Sequence, residues 1–179
     1  MDIEGAKALR VQAGVVNPLV CILFDPSNPR RVAEFRAISD SAALAGFSVT
    51  DCSSTDWRQL LGTDGAYDAS LYALRPSSRA VSAVSAAFRS DSPVGNDNFY
   101  ANPRVDALID SLNTTFDRGQ QLSILQTIDA RLWADGYGVP LYQFPAVTAF
   151  NDHVTGVSPS PLSPNLLWNV WDWSPVGQG

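Results

Sequence analysis

Residues able to do covalent or acid–base chemistry are few in this sequence and poorly placed for one another. His153 is the single histidine, set in a loop-like Asn-Asp-His run, and reads as a surface residue rather than a general base. No serine stands in a Gly-x-Ser-x-Gly turn, and no second histidine exists to build a zinc site. Gly62-Thr-Asp-Gly65 is the nearest approach to a phosphate-cradling loop, yet it reads as a helix stop ahead of a strand. Acidic pairs such as Asp91 and Asp97 fall in polar stretches where solvated carboxylates are the default, and no pair is marked out for glycosidase chemistry. A hydrolase would need a buried acid–base pair and a nucleophile in one cleft. The expectation is a protein that is not an enzyme, with no catalytic residue, metal or cofactor.

The remaining reactive groups are Cys21 and Cys52, each in an apolar, strand-like run. They read as buried thiols. An exported protein could bridge them, but Cys21 is near the start of its strand and Cys52 near the end of the next. For parallel neighbours that offset is roughly 10 Å, too far for a disulfide. The net charge of -6 and the scattering of basic residues exclude nucleic acid as a partner. Arg30-Arg31, the one basic pair, reads as solvated surface.

The elements alternate strand and helix in the first half. Leu19–Phe24 is a continuous apolar run, as in a strand covered on both faces. Asn28 or Ser27 then caps a helix with Pro29 at its first position, carrying Val32, Phe35, Ile38, Ala42 and Ala45 on one stripe until Gly46. Phe47–Cys52 follows as a second strand, giving a βαβ unit with parallel strands. Ser54-Thr55-Asp56 caps a short helix with Trp57, Leu60 and Leu61, and a third strand runs to Leu74. Helices dominate beyond it, marked by Val81, Val84 and Phe88; by Val105, Leu108, Ile109 and Leu112; and by Leu122, Leu125, Ile128 and Leu132 behind Asp117. Val139–Tyr142 reads as a short edge strand.

The ends differ in character. The opening MDIEGAKALR goes at once into a helical pattern, Ala6, Leu9 and Ala13, and carries no signal peptide or lipidation site. Met1 is therefore expected to be an introduced start, and the chain a fragment. The tail, with Trp168, Trp171 and Trp173, is too apolar to be free and must pack on something.

Three motifs make the reading more specific. Gly65-Ala-Tyr-Asp-Ala-Ser-Leu71, Asn98-Phe-Tyr-Ala-Asn-Pro-Arg-Val-Asp-Ala-Leu-Ile109 and Val139-Pro-Leu-Tyr-Gln-Phe-Pro145 follow one another in order, behind Ala6-Lys-Ala-Leu9, Ala13-Gly14 and Arg30-Arg31 to Phe47. Together they resemble the dipeptide/oligopeptide class of extracytoplasmic solute-binding proteins. The resemblance covers nearly all of residues 2–156. It implies an α/β fold, a periplasmic-binding-protein-like lobe whose mainly parallel sheet has helices on both faces. Members of that class close two lobes on a ligand and deliver it to an ABC importer.

On this resemblance residues 1–156 are the C-terminal lobe, and residues 157–179 a return segment that would pack on a missing first lobe. A carbohydrate-stacking platform is the other reading of its tryptophans. The partners implied are a peptide or other small solute and an ABC permease, with an extracytoplasmic location and a lipid anchor outside this chain. Peptide-binding members carry an acid just after the Tyr-Asp strand, and here that position falls on Ser77. The changed position also admits a divergent lipoprotein of the same fold that regulates cell-envelope glycolipid assembly. With the site at the C-terminal ends of the strands, the ligand-binding residues are expected to be Leu74, Arg75, Ser77, Ser78, Asn96 and Asn98.

Overall fold

The computed structural model describes residues 2–73, 80–93, 95–143, 147–160 and 165–177. They form two compact units, Met1–Ala73 and Leu74–Gly179.

The first unit opens with helix α1, Ile3–Gln12, whose end is capped when the Asp2 carboxylate accepts from the Gly5 amide at 2.8 Å. Strand β1, Leu19–Leu23, lies between β2, Ser48–Asp51, and β3, Ala69–Ser70, and pairs parallel with both. The parallel βαβ expectation holds, although β3 is far shorter than the run to Leu74. Burial of β1 is confined to its C-terminal half: Ile22, Leu23 and the following Phe24 are buried, whereas Leu19 is exposed. Helix α2, Pro29–Leu44, makes the crossover and packs on β2. Its cap is Asn28, whose Oδ1 accepts from the Arg30 amide at 3.2 Å, and its expected stripe faces inward, with Phe35 stacked on Phe24 at 5.1 Å.

Two expectations fail here. Arg31 is buried, not solvated, because its Nη1 meets Glu34 Oε2 at 2.6 Å one turn along the helix, where Glu34 also meets Arg30 at 3.5 Å. The cysteines form a disulfide, with Cα atoms 5.6 Å apart. The register brings them closer: Leu19 lies opposite Ser48, so Cys21 faces Thr50, and Cys52 stands only two residues further along, its amide donating to the Ile22 carbonyl at 3.1 Å in the same ladder. A start-to-start alignment of the two runs overstates the offset by one residue.

The second unit is helical. Helix α4, Ala80–Phe88, α5, Pro103–Thr114, and α6, Arg118–Ala134, follow the short α3, Trp57–Leu60, of the first unit. Asn102 and Asp117 cap α5 and α6 through their side-chain oxygens, at 3.0 and 2.8 Å. The core is Val105, Ile109 and Leu112 of α5 against Ile128 of α6, flanked by Val81, Val84, Phe88 and Tyr100. Leu122, expected on the apolar stripe, is exposed instead. Residues 139–142 form no strand; Pro140 has no amide to give a ladder.

Strands β4, Val154–Thr155, and β5, Ser174–Pro175, pair antiparallel around a 310 segment, Asn165–Asp172. The tail therefore packs on residues just upstream of it. Asn169, buried, is the hub: its Oδ1 accepts from the Ser158 amide and the Trp173 indole, both at 3.1 Å, and its Nδ2 donates to the Gly156 carbonyl at 2.6 Å. At Gly156, with φ +84°, a Cβ would stand 2.1 Å from the Asp172 carbonyl, so only glycine admits this approach.

Candidate functional site

In the first unit the three parallel strands end together, and their carboxyl ends carry the polar groups. From β1 the chain runs through Phe24 to Asp25, whose Oδ1 accepts from the Ser27 amide at 2.9 Å and the Ser27 hydroxyl at 2.6 Å. These two bonds, helped by the Arg58 charge and the Trp57 indole, hold the Asp25 carboxyl below the usual carboxylate range. The Asx-type turn at Asp25 also delivers Asn28 to the start of α2.

From β2 the chain passes Asp51, which accepts from the Ser53 amide at 2.8 Å, to Ser54. The Ser54 amide donates to the Phe24 carbonyl at 3.1 Å, and its hydroxyl accepts from the Asp56 amide at 3.1 Å. One serine thus ties the two strand exits together and starts α3. Trp57 lies half-buried at that start, with the Arg58 guanidinium 5.1 Å from its ring centroid. β3 leaves through Leu71, whose amide donates to the Leu23 carbonyl at 2.9 Å, and Tyr72.

The edge therefore gathers carboxylates, hydroxyls, an indole and a guanidinium at one end of the sheet. Its chemistry is that of hydrogen bonding and stacking. His153, in the other unit, is exposed beside Asp152 at 3.8 Å. Among the described residues no group of three or more His, Cys, Asp or Glu could hold a metal ion.

Of the residues expected to bind ligand, Leu74, Arg75, Ser77 and Ser78 lie outside the described residues. In the sequence they follow Ala73. Asn96 and Asn98 belong to the second unit. Asn96 is engaged with backbone: its Nδ2 donates to the carbonyls of Arg89 (3.2 Å) and Tyr100 (2.8 Å), and its Oδ1 accepts from the Tyr100 amide at 2.9 Å. Asn98 is exposed. The Tyr100-Ala-Asn-Pro motif has a structural task too, since the Tyr100 hydroxyl and the Asn102 side-chain Nδ2 both donate to Asp135 Oδ2 at 2.6 Å. In the sequence, Asp25 to Pro29 reads as a helix start alone and Trp57 as part of a short helix. The signal for more was their position: each follows a strand in a βαβ pattern, where such folds place ligands.

No family model matches this sequence, and no curated protein matches it. Solved structures do. The chain is similar to HbpA2 from Haemophilus parasuis, at 20% identity and a TM-score of 0.71, over 96% of this chain and 35% of that one. It is similar to the substrate-binding domain of an oligopeptide ABC transporter from Bacillus anthracis, at 18% identity and a TM-score of 0.67, over 96% and 33% of the two chains. NikA from Staphylococcus aureus, solved with Ni(L-His)2, matches at 23% identity and a TM-score of 0.66, over 75% and 30%. The chain thus spans about a third of the length of these relatives. The likeness is one of fold, and the fold is periplasmic-binding-protein-like, an α/β architecture with a small parallel sheet.

Proposed function

We propose that this chain is one lobe of a two-lobed extracytoplasmic solute-binding protein that serves an ABC importer of peptides or related solutes, and that it is not an enzyme. The observation that carries this is the convergence of three parallel strand ends on the polar edge at Asp25, Ser54 and Trp57, in a fold it shares with such binding proteins. Leu74, Arg75, Ser77 and Ser78, which follow Ala73 in the sequence, are the proposed ligand residues, and exposed Asn98 is a separate candidate in the second unit. The Cys21–Cys52 disulfide supports an oxidising, extracytoplasmic setting. No described helix is long and apolar enough to cross a membrane, which fits attachment through a lipid anchor elsewhere in a longer protein. Residues 157–179, with Trp168 and Trp171 exposed, are the proposed return segment to the other lobe.

Two-lobed binders bury the ligand between both halves, so one lobe alone leaves its polar contacts in water. Native mass spectrometry of the longer protein, purified from its own cell envelope, is the direct test. A co-purifying peptide or small solute is expected, lost when Trp57 is replaced by alanine. Calorimetry on the isolated chain with a peptide library should show no binding tighter than about 1 µM; tighter binding would mean that the chain is a complete binding domain. A longer protein that carries no solute, and that interacts with glycolipid-assembly enzymes, would favour the regulatory lipoprotein suggested by Ser77.

A further inference from the structure

The Asp68 side chain does something that a Tyr-Asp strand motif does not require. Its Oδ2 accepts from the Cys21 backbone amide at 2.7 Å, while its own amide donates to the Cys21 carbonyl at 2.9 Å. In a parallel ladder the Cys21 amide would meet a backbone carbonyl of the neighbouring strand. Here the chain ahead of Asp68 is still in a turn, with the Ala66 amide on the Thr63 carbonyl and the Tyr67 hydroxyl accepting from the Gly62 amide, so the carboxylate stands in for the missing carbonyl. β3 is only two residues long, and it has the Leu71 amide on Leu23 as its far fastening. Asp68 thus supplies two of the bonds that hold it. On the opposite side Cys21 is covalently joined to Cys52, so residue 21 indexes β3 against both other strands.

We infer that Asp68 is a positioning residue: its amide and carboxylate clamp β3 to Cys21, and this sets where Leu71 and Tyr72 leave the sheet beside the exits of β1 and β2. The inference rests on the reading of the polar strand-end edge as the ligand site. The clamp needs an acceptor oxygen at that reach and not a charge, which separates Asp68 from a residue that would recognise a cationic ligand.

The test uses the longer protein with Asp68→Ala and Asp68→Asn, reading single-amide hydrogen exchange and affinity for a tetrapeptide library. Asp68→Ala should speed exchange at Cys21 and Leu71 by about tenfold or more and weaken peptide binding, with α5 and α6 amides unchanged. Asp68→Asn, which keeps an oxygen acceptor, should stay within about threefold of wild type in both readouts. Wild-type exchange at Cys21 in Asp68→Ala overturns the clamp. So does loss of peptide binding in Asp68→Asn with exchange unchanged, since the charge would then act on the ligand. Should Asp68→Ala fail to fold, Asp68→Glu decides: the charge stays but the oxygen is displaced, and Cys21 exchange should still rise. If wild type itself binds no peptide, the functional reading fails and the exchange result still judges the clamp.

Discussion

In the unit Met1–Ala73 three strands converge on one residue, Cys21, through a disulfide, a carboxylate clamp and a short ladder. In the unit Leu74–Gly179 no comparable point exists among the described residues; order comes from an apolar helix seam and from two polar hubs, Asp135 and Asn169. The first arrangement fixes backbone against backbone and uses the strand-end side chains Asp25, Asp51 and Ser54 only for the short turns that follow. The second uses side chains to hold loops, and so consumes groups such as Asn96 and Tyr100 that look available in the sequence. The difference gives each unit its own failure mode.

The largest effect is expected in the helical seam. Ile109 is fully buried between α5 and α6, and Ile109→Ala should cost about 4 kcal/mol by lost transfer energy and the cavity left behind. Hydrogen exchange should show the loss in α4–α6 while β1 and β2 amides keep their protection. Equal loss in both places would erase the distinction between the units. Reduction of Cys21–Cys52 is the mirror experiment. The bridge spans a sequence separation of 31, worth about 3.7 kcal/mol in the chain-entropy treatment. The loss should fall on β1 and β2, with α5 and α6 unaffected.

Asn169→Leu comes next. It strips partners from the Gly156 carbonyl, the Ser158 amide and the Trp173 indole at a buried position, a loss of about 2–3 kcal/mol. β4–β5 amides should exchange freely and the tryptophan emission shift to longer wavelength. Unchanged emission would mean that the tail is held by its apolar contacts and not by the hub.

The caps and stripes of these elements were legible in the sequence because their causes are local. Asn28, Asn102 and Asp117 each precede a helix that their own side chain caps, and Val105, Ile109 and Leu112 repeat at helical spacing. What escaped depends on register and on partners distant in sequence. The disulfide turns on a one-residue shift in register between β1 and β2, which leaves no mark in composition. Arg31 looked solvated because burial of a charge is set by what covers the helix, while its partner Glu34 sat three residues away in plain view. Asp25 and Trp57 did not stand out at the strand ends, because both also have ordinary structural uses as turn and helix residues.

The smallest effect tests the Asp135 hub and carries a pH signature. Burial, and then the bond to Asp135, push the Tyr100 hydroxyl up to about 12 from its usual 10. Folding thus favours the neutral phenol: its contribution is complete below pH about 10 and is lost as the pH rises toward 12. Asp135 has the opposite sense. The bonds from Tyr100 and Asn102 hold its carboxyl below the usual range, so its contribution is complete above pH about 4 and is lost as the pH falls further. Tyr100→Phe removes one donor from Asp135 at a cost of about 1 kcal/mol at neutral pH. It should also abolish the alkaline decline in the stability of α5 and α6 and shrink the acid one. Denaturation midpoints across the pH range, wild type against variant, measure both arms. An alkaline decline equal in the two proteins would show that Tyr100 packs in this loop without its hydroxyl holding it to α6.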